Sequence, residues 1–327
     1  MTAVLGFILE CAAVAAVVGA VASLWVAAMV GAWTRHGAWP ALRADGAFVL
    51  GILPAVVALA AVAATAAPAL SAVVGWGQDH CGGHDHHLHL CFLHSSGGRP
   101  VLAVAGAAAL AMFVFRAGGL VWRILHTRSR LAALEALGSP RTGPFPVVVV
   151  PGAPRVCHAA GVLRRRVLVS GSLEEVLTAE QLQGVLAHEE AHLRRQDPLA
   201  SLLLCASGLF VPPPLARRFL ARYQLAAEQA CDAEAVHVVG DGAVMAEALV
   251  KMAALQRGAR EAAAVPAFGQ LALEARVRAL LGDEPLQARA SRALLLGAGV
   301  AAGVLTLALL HAGFLHHAVE TALHFIS

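Results

Sequence analysis

The chain has 327 residues, of which 58% are hydrophobic and 14% charged, and its formal net charge is +3. This composition is too apolar for an ordinary soluble domain, and the small net charge gives no basis for direct binding of nucleic acid. A large part of the chain is therefore expected to lie in a lipid bilayer.

Four apolar segments are long enough to cross a bilayer, which takes about 18 or more consecutive apolar residues. They lie near residues 3 to 33, 47 to 75, 101 to 122 and 294 to 315. The first segment has neither the basic cluster nor the cleavage site of a signal peptide, so it is expected to be a retained anchor.

The distribution of arginines predicts the orientation of these spans. Arginines lie between the first two spans, after the third and before the fourth, whereas the loop at 76 to 99 has one arginine and the tail after 315 has none. By the positive-inside rule, the N-terminus, this loop and the C-terminus are outside, and residues 123 to 293 are cytoplasmic. The arginine-rich, lysine-poor composition suggests a bacterial protein, and so the inner membrane.

Residues 123 to 293 form the one region that is large enough to fold as a soluble domain. Short β-branched runs at 147 to 150 and 167 to 169 predict strands. Thr178 and Gln181 resemble a capping box, which predicts a helix from there to about Asp197. Further helices are predicted at 199 to 211, too short for a fifth span, and at 215 to 239 and 244 to 257.

The first of these helices carries an HExxH motif, His188-Glu189-Glu190-Ala191-His192. Residues at i and i+4 lie on one helix face, so both imidazoles can bind one zinc ion. Glu189 projects beside that ion, where it can take a proton from water and pass it to a departing amine. The motif therefore predicts Glu189 as the catalytic base of amide hydrolysis.

A second element, Glu228-Gln229-Ala230-Cys231-Asp232, lies on the helix predicted at 215 to 239. Zinc needs a third protein ligand, which Glu228 can supply. Asp232 is one helical turn further on and can accept a hydrogen bond from a ligating histidine. Alone, this pair would indicate a solvated acidic face. Together with the HExxH motif it predicts one catalytic Zn²⁺ held by His188, His192 and Glu228.

Some residues of the region have no role that the sequence selects. Tyr223, His158 and His237 are each candidates to stabilise an oxyanion. Cys231 adjoins Glu228 but faces elsewhere on the helix, and a small buried thiol is the ordinary interpretation.

Together these features resemble the BlaR/MecR-type membrane metallopeptidases. The resemblance rests on three spans before the domain and one after it, on LAHEEAHLRRQDPL at 186 to 199, and on EQACD at 228 to 232. It implies that His188, His192 and Glu228 bind zinc and that Glu189 is the base. It also implies a protein substrate, a cytoplasmic winged-helix repressor or a similar regulator, cleaved in response to an external signal.

The C-terminus departs from that family. Its β-lactam sensors carry a large extracellular penicillin-binding domain, whereas about a dozen residues follow position 315 here, without an SxxK motif. Acylation of this chain by a β-lactam is therefore not expected, and the stimulus is left open.

The predicted outer loop is rich in histidine and cysteine, and residues 80 to 94 read HCGGHDHHLHLCFLH. Its histidines can bind zinc, copper or nickel, and its two cysteines can form a disulfide in an oxidising compartment. A metal sensor, a disulfide and a loosely structured polar loop remain alternatives. The candidate residues are His84, His86, His87, His89, Cys81 and Cys91.

The expected fold is an α-helical membrane protein with four transmembrane helices and a mainly α (α+β), zincin-like cytoplasmic domain between spans 3 and 4. The expected divisions are 1 to 122, 123 to 293 and 294 to 327. Two other functions stay open. One is a quality-control or processing peptidase like HtpX or the CAAX proteases, and the other is a non-enzymatic metal-binding receptor or carrier.

Overall fold

The computed structural model describes residues 2–33, 40–75, 100–141, 145–151, 157–260, 268–282 and 290–326. This part of the chain is mostly helical. The candidate residues of the outer loop, at 80 to 94, lie outside the described residues. The helices are α1 Thr2–Trp33, α2 Pro40–Val73, α3 Pro100–Leu137, α4 Ala179–Arg195, α5 Asp197–Ser207, α6 Pro213–Val239, α7 Gly242–Arg260, α8 Phe268–Leu280, α9 Ala293–Leu310 and α10 Ala312–Ile326.

Four helices are long and apolar enough to cross a membrane, as the sequence predicts. Their candidate spans are Val4–Met29, Arg43–Pro68, Ala103–Leu137 and Ala293–Leu310. Two boundaries differ from the prediction. Helix α3 continues without a break through residues 123 to 137, where the sequence predicts the start of the cytoplasmic domain. The alanines, leucines and arginines of this stretch all favour a helix. After a turn at His311, the expected short tail forms helix α10.

Small residues allow the first helices to pack closely. A Cβ at Gly106 of α3 would collide with the backbone of Leu9 in α1. A Cβ at Gly19 of α1 would collide with the carbonyl group of Phe210, in the 3₁₀ turn Gly208–Phe210 that follows α5. Helix α1 therefore contacts both α3 and this turn at backbone distance, as small residues permit in membrane helices.

A four-stranded sheet lies between α3 and α4. Its strands are β1 Ser139–Arg141, β2 Val147–Val150, β3 Cys157–Ala160 and β4 Arg166–Ser170, in the order β1-β2-β4-β3. Strands β2 and β4 are parallel, whereas β3 is antiparallel to β4 and forms an edge of the sheet. The sequence predicts the two valine-rich strands. It does not predict β1 and β3, because their residues have weak strand propensity and are set by pairing with their neighbours.

Helix α4 begins at the predicted capping box. The hydroxyl of Thr178 accepts a hydrogen bond from the Gln181 backbone N–H at 3.2 Å, and the Gln181 side chain accepts one from the Thr178 N–H at 3.3 Å. Further along α4, a Cβ at Gly184 would collide with Met245 of α7 and lie 2.9 Å from a methyl group of Val239 in α6. These contacts place α4 tightly against α6 and α7.

Helix α5 follows α4 after one residue, Gln196, whose φ of 59° is in the left-handed region. The apolar helix predicted at 199 to 211 thus begins earlier, at Asp197. Its C-terminal end is fixed by Arg116 of α3, whose guanidinium donates to the carbonyls of Gly208 at 2.5 Å and Val211 at 2.9 Å. The short helix therefore joins the end of the HExxH helix to a membrane helix.

Removing the capping hydroxyl is expected to destabilise α4. Thr178→Ala leaves the Gln181 backbone N–H without its acceptor, and should lower the free energy of unfolding by about 1 kcal/mol. Denaturant unfolding of the chain in detergent, followed by circular dichroism, measures the change. Thr178→Ser keeps the hydroxyl and is expected to behave as wild type. Equal stability of all three proteins would contradict this role.

Candidate metal centre

The structure brings the three predicted ligands, His188, His192 and Glu228, together. The Nε2 atoms of His188 and His192, on adjacent turns of α4, are 3.2 Å apart. From α6, Glu228 places Oε2 3.4 Å from the first nitrogen and Oε1 3.6 Å from the second. Ligand atoms of all three side chains lie within 4.8 Å of one another, so a single ion can contact all of them.

Asp232 lies beside the other nitrogen of His188. Its Oδ1 atom is 2.9 Å from Nδ1 of His188, at an angle less favourable for a hydrogen bond than the corresponding contact of His192. A proton held on Nδ1 leaves Nε2 with a free lone pair facing the site. This is the arrangement that the sequence predicts for Asp232 and one ligating histidine.

Asp197 lies beside Nδ1 of His192 in the same way, a role that the sequence does not predict. Its Oδ2 atom lies 2.8 Å from Nδ1 of His192 and also accepts a hydrogen bond from Nε of Arg195 at 3.2 Å. Its Oδ1 atom accepts the hydroxyl proton of Tyr223 at 2.8 Å. The sequence places Asp197 directly after the HExxH helix, where it predicts only the end of that helix.

Tyr223 and Cys231 help to hold His192 in place, Tyr223 through Asp197 and Cys231 by direct contact. Tyr223 is 1% exposed, and its hydroxyl is bonded to Asp197, so it is not placed to stabilise an oxyanion. His158 and His237, the other candidates for that role, are exposed on β3 and α6. The expectation that Cys231 faces elsewhere than Glu228 is wrong, because residues three apart share a helix face and both side chains point to His192. The Sγ atom of Cys231 lies 3.3 Å from Nδ1 of that ring, and Oε1 of Glu228 lies 3.6 Å from Nε2. The thiol thus fills the space behind that ring.

These contacts change the pKa values of the buried groups. Burial disfavours a charged imidazole, but the side chains of Asp232 and Glu228 outweigh it and raise the pKa of His188 to about 10. Burial raises the pKa of a carboxyl, but His188 and Arg276 hold that of Glu228 well below its usual range. The pKa of Asp197 is likewise lowered, against burial, by His192 and Arg195. Both carboxyl groups are therefore ionised at neutral pH.

Glu189 lies at the junction of α4 and the sheet. Its side chain is buried, and its Oε2 atom accepts a hydrogen bond from the backbone N–H of Ala159 at 2.6 Å. Ala159 is on the edge strand β3, so this N–H points away from the neighbouring strand β4. The contact fixes the carboxylate at the edge strand of the sheet.

The donor set fits a zinc ion. Two imidazole nitrogens and one carboxylate oxygen are the ligands of catalytic zinc sites that keep one position open for water or substrate. Both histidines have a carboxylate at Nδ1, which turns Nε2 towards the common point. Zinc bound there would act as a Lewis acid that polarises a carbonyl group and acidifies water.

Loss of the Asp197 carboxylate should weaken metal binding. Asp197→Asn removes the charged acceptor that orients His192, and we expect zinc affinity to fall roughly 10- to 100-fold. Competition with a chromophoric chelator measures the affinity of the chain in detergent. Asp241→Asn alters an exposed carboxyl that caps a turn at Ala243 and serves as the control. Wild-type affinity in folded Asp197→Asn would refute this role.

Comparison with known proteins identifies the domain. The family model described as BlaR1 peptidase M56 matches residues 153–280. That range includes β3, β4 and helices α4 to α8, and thus every residue of the metal centre. Neither the curated proteins nor the solved structures gave a match. The resemblance to BlaR/MecR-type membrane metallopeptidases is therefore confirmed over residues 153–280, which match the family of the BlaR1 peptidase, M56.

Proposed function

We propose that this protein is a membrane-embedded zinc endopeptidase that cleaves a cytoplasmic regulator, such as a winged-helix repressor, in response to an external signal. One observation carries the enzymatic part of the proposal. Two imidazole nitrogens and a carboxylate oxygen from α4 and α6 converge on one point, and Glu189, which follows His188 in the chain, has its carboxylate held by the N–H of Ala159. This is the ligand set and the base that hydrolysis of a peptide bond requires.

Glu189 acts as the general base in this proposal. The N–H of Ala159 holds its Oε2 atom, which leaves Oε1 to accept a proton from the attacking water. The same carboxyl group can then protonate the departing amine, so that one residue serves both steps. The hydrogen bond from Ala159 keeps the carboxylate from turning away from the ligands.

Strand β3, an edge strand among the described residues, offers a place for an extended peptide. Because the N–H of Ala159 points to that edge, the carbonyl of the same residue does so as well. A substrate segment that pairs with β3 as an added strand would have its main chain next to Glu189 and the metal ligands. Main-chain pairing recognises backbone rather than side chains, which suits an enzyme that cuts within a flexible segment of a protein.

The arginine distribution supports a cytoplasmic substrate. By the positive-inside rule, the region between the third and fourth spans faces the cytoplasm of a bacterial inner membrane. A soluble regulator would therefore have access to the site, and the predicted outer loop at 76 to 99 is the candidate receiver of an external stimulus. The family assignment favours this function over an HtpX-like or CAAX-type processing peptidase.

Replacing the base should abolish proteolysis and leave the metal bound. In Glu189→Gln the amide cannot accept a proton from water, so we expect peptide hydrolysis to fall by roughly 10²- to 10⁴-fold. Cleavage of a fluorogenic peptide library by the full chain in nanodiscs, with zinc content measured in parallel, tests this. The matched control is Glu190→Gln, which alters the adjacent residue of α4, a carboxyl near Arg194 rather than at the ligands.

The same variant identifies the substrate and separates the alternative functions. Proteins that accumulate uncut in Glu189→Gln cells, compared by proteomics with wild-type and Glu190→Gln cells, are the candidate substrates. We expect a transcriptional regulator among them. Membrane proteins alone would point to a quality-control peptidase. Intact signalling by Glu189→Gln, with no change in any protein, would point to a metal-binding receptor without enzymatic function.

A further inference from the structure

Arg276 of α8 lies against the metal centre, and no motif in the sequence indicates it. Its guanidinium makes a two-pronged contact with Asp232, with Nε 2.8 Å from Oδ2 and NH2 2.7 Å from Oδ1. Its third nitrogen, NH1, is 2.8 Å from Oε2 of Glu228. The side chain is 15% exposed, so these contacts form largely away from solvent.

The guanidinium of Arg276 thus contacts two carboxylates that have different roles at the metal centre. Glu228 is a ligand itself, whereas Asp232 orients His188 through the contact at Nδ1. The planar fork of an arginine matches both oxygens of a carboxylate and still has N–H groups for another acceptor, which a lysine ammonium cannot reproduce. Arg276 therefore acts on two of the three ligands, one of them directly.

The contact also distinguishes the two oxygens of Glu228. Because Oε2 is in an ion pair with Arg276, its negative charge is partly compensated and it is a weaker donor for a cation than Oε1, which lies on the side of His192. A glutamate that binds zinc through one oxygen leaves a coordination position for water, as catalytic sites require. A glutamate free to bind through both oxygens would fill that position.

We propose that Arg276 is a positioning residue of the metal centre, which limits Glu228 to one ligating oxygen and holds Asp232 against His188. This inference rests on the metal site of the proposed function but not on its substrate. The alternative is that Arg276 only stabilises the packing of α8 against α6. Its loss would then change the stability of the fold alone, whereas loss of a positioning residue would also change the affinity and the coordination number of the metal.

The test uses the full chain in nanodiscs with zinc and, as a spectroscopic substitute, cobalt. Arg276→Gln removes the charge and the fork, and Arg276→Lys keeps only the charge. Arg278→Gln is the control, because Arg278 lies on the same helix in an exposed ion pair with Glu274. Zinc affinity comes from competition with a chelator, the coordination number from the cobalt d–d absorption, and folding from circular dichroism.

We expect Arg276→Gln to bind zinc roughly 10- to 100-fold more weakly, the range seen when residues that orient metal ligands are lost. Its cobalt spectrum should weaken, as expected when a four-coordinate ion becomes five-coordinate through the second oxygen of Glu228. Arg276→Lys should show the same spectral change with a smaller loss of affinity, and Arg278→Gln should match wild type.

A folded Arg276→Gln with wild-type zinc affinity and cobalt spectrum would overturn the inference while leaving the proposed function intact. If Arg276→Gln does not fold, Arg276→Lys decides, and wild-type values for that variant overturn the inference as well. A wild-type chain that binds neither metal would overturn both the inference and the proposed function.

Discussion

The geometry of the candidate metal centre depends on the hydrogen bonds of one buried carboxylate, that of Asp197. It joins the end of α4, the start of α5 and the middle of α6 through His192, Arg195 and Tyr223. Among the described residues it is the one hydrogen-bond partner of the Arg195 side chain, whose two terminal nitrogens are buried without partners. Removing the partner of a buried charge costs several kcal/mol, so this carboxylate stabilises the fold as well as orienting His192.

The apolar helices and the domain that carries the site are built as one packed unit. Asp45 near the start of α2 accepts hydrogen bonds from the Ser291 hydroxyl at 2.8 Å and the Arg292 N–H at 2.9 Å, just before α9. Phe48 of α2 packs against the ring of Tyr223, with centroids 5.9 Å apart. Since Tyr223 is hydrogen-bonded to Asp197, two side chains separate Phe48 of the candidate span α2 from His192, a candidate ligand. The support of the metal centre thus begins within the spans.

Local patterns in the sequence were sufficient to predict the parts of the site that lie within one helix. Apolar length predicts the four spans, and helical spacing places His188 beside His192 and Asp232 beyond Glu228. Apart from Glu228, which the ExxxD spacing and the HExxH motif together predict, the residues that connect different elements were not predictable in this way. Asp197, Tyr223 and Cys231 meet only because α4, α5 and α6 pack together. Arg276 arrives from a helix that no motif marks, and Ala159 takes part through its backbone, which carries no signature in a sequence.

Each candidate histidine ligand contacts an aspartate, and each of these aspartates is paired with an arginine. This arrangement has a consequence for charge compensation. Around the metal centre, four carboxylates face two guanidiniums, which leaves two negative charges in a largely buried space. A divalent cation neutralises that excess, whereas a monovalent one does not. Without a metal, a proton on His188 supplies part of the compensation, which agrees with its raised pKa. The four carboxylates are those of Glu189, Glu228, Asp197 and Asp232, and the two guanidiniums are those of Arg195 and Arg276.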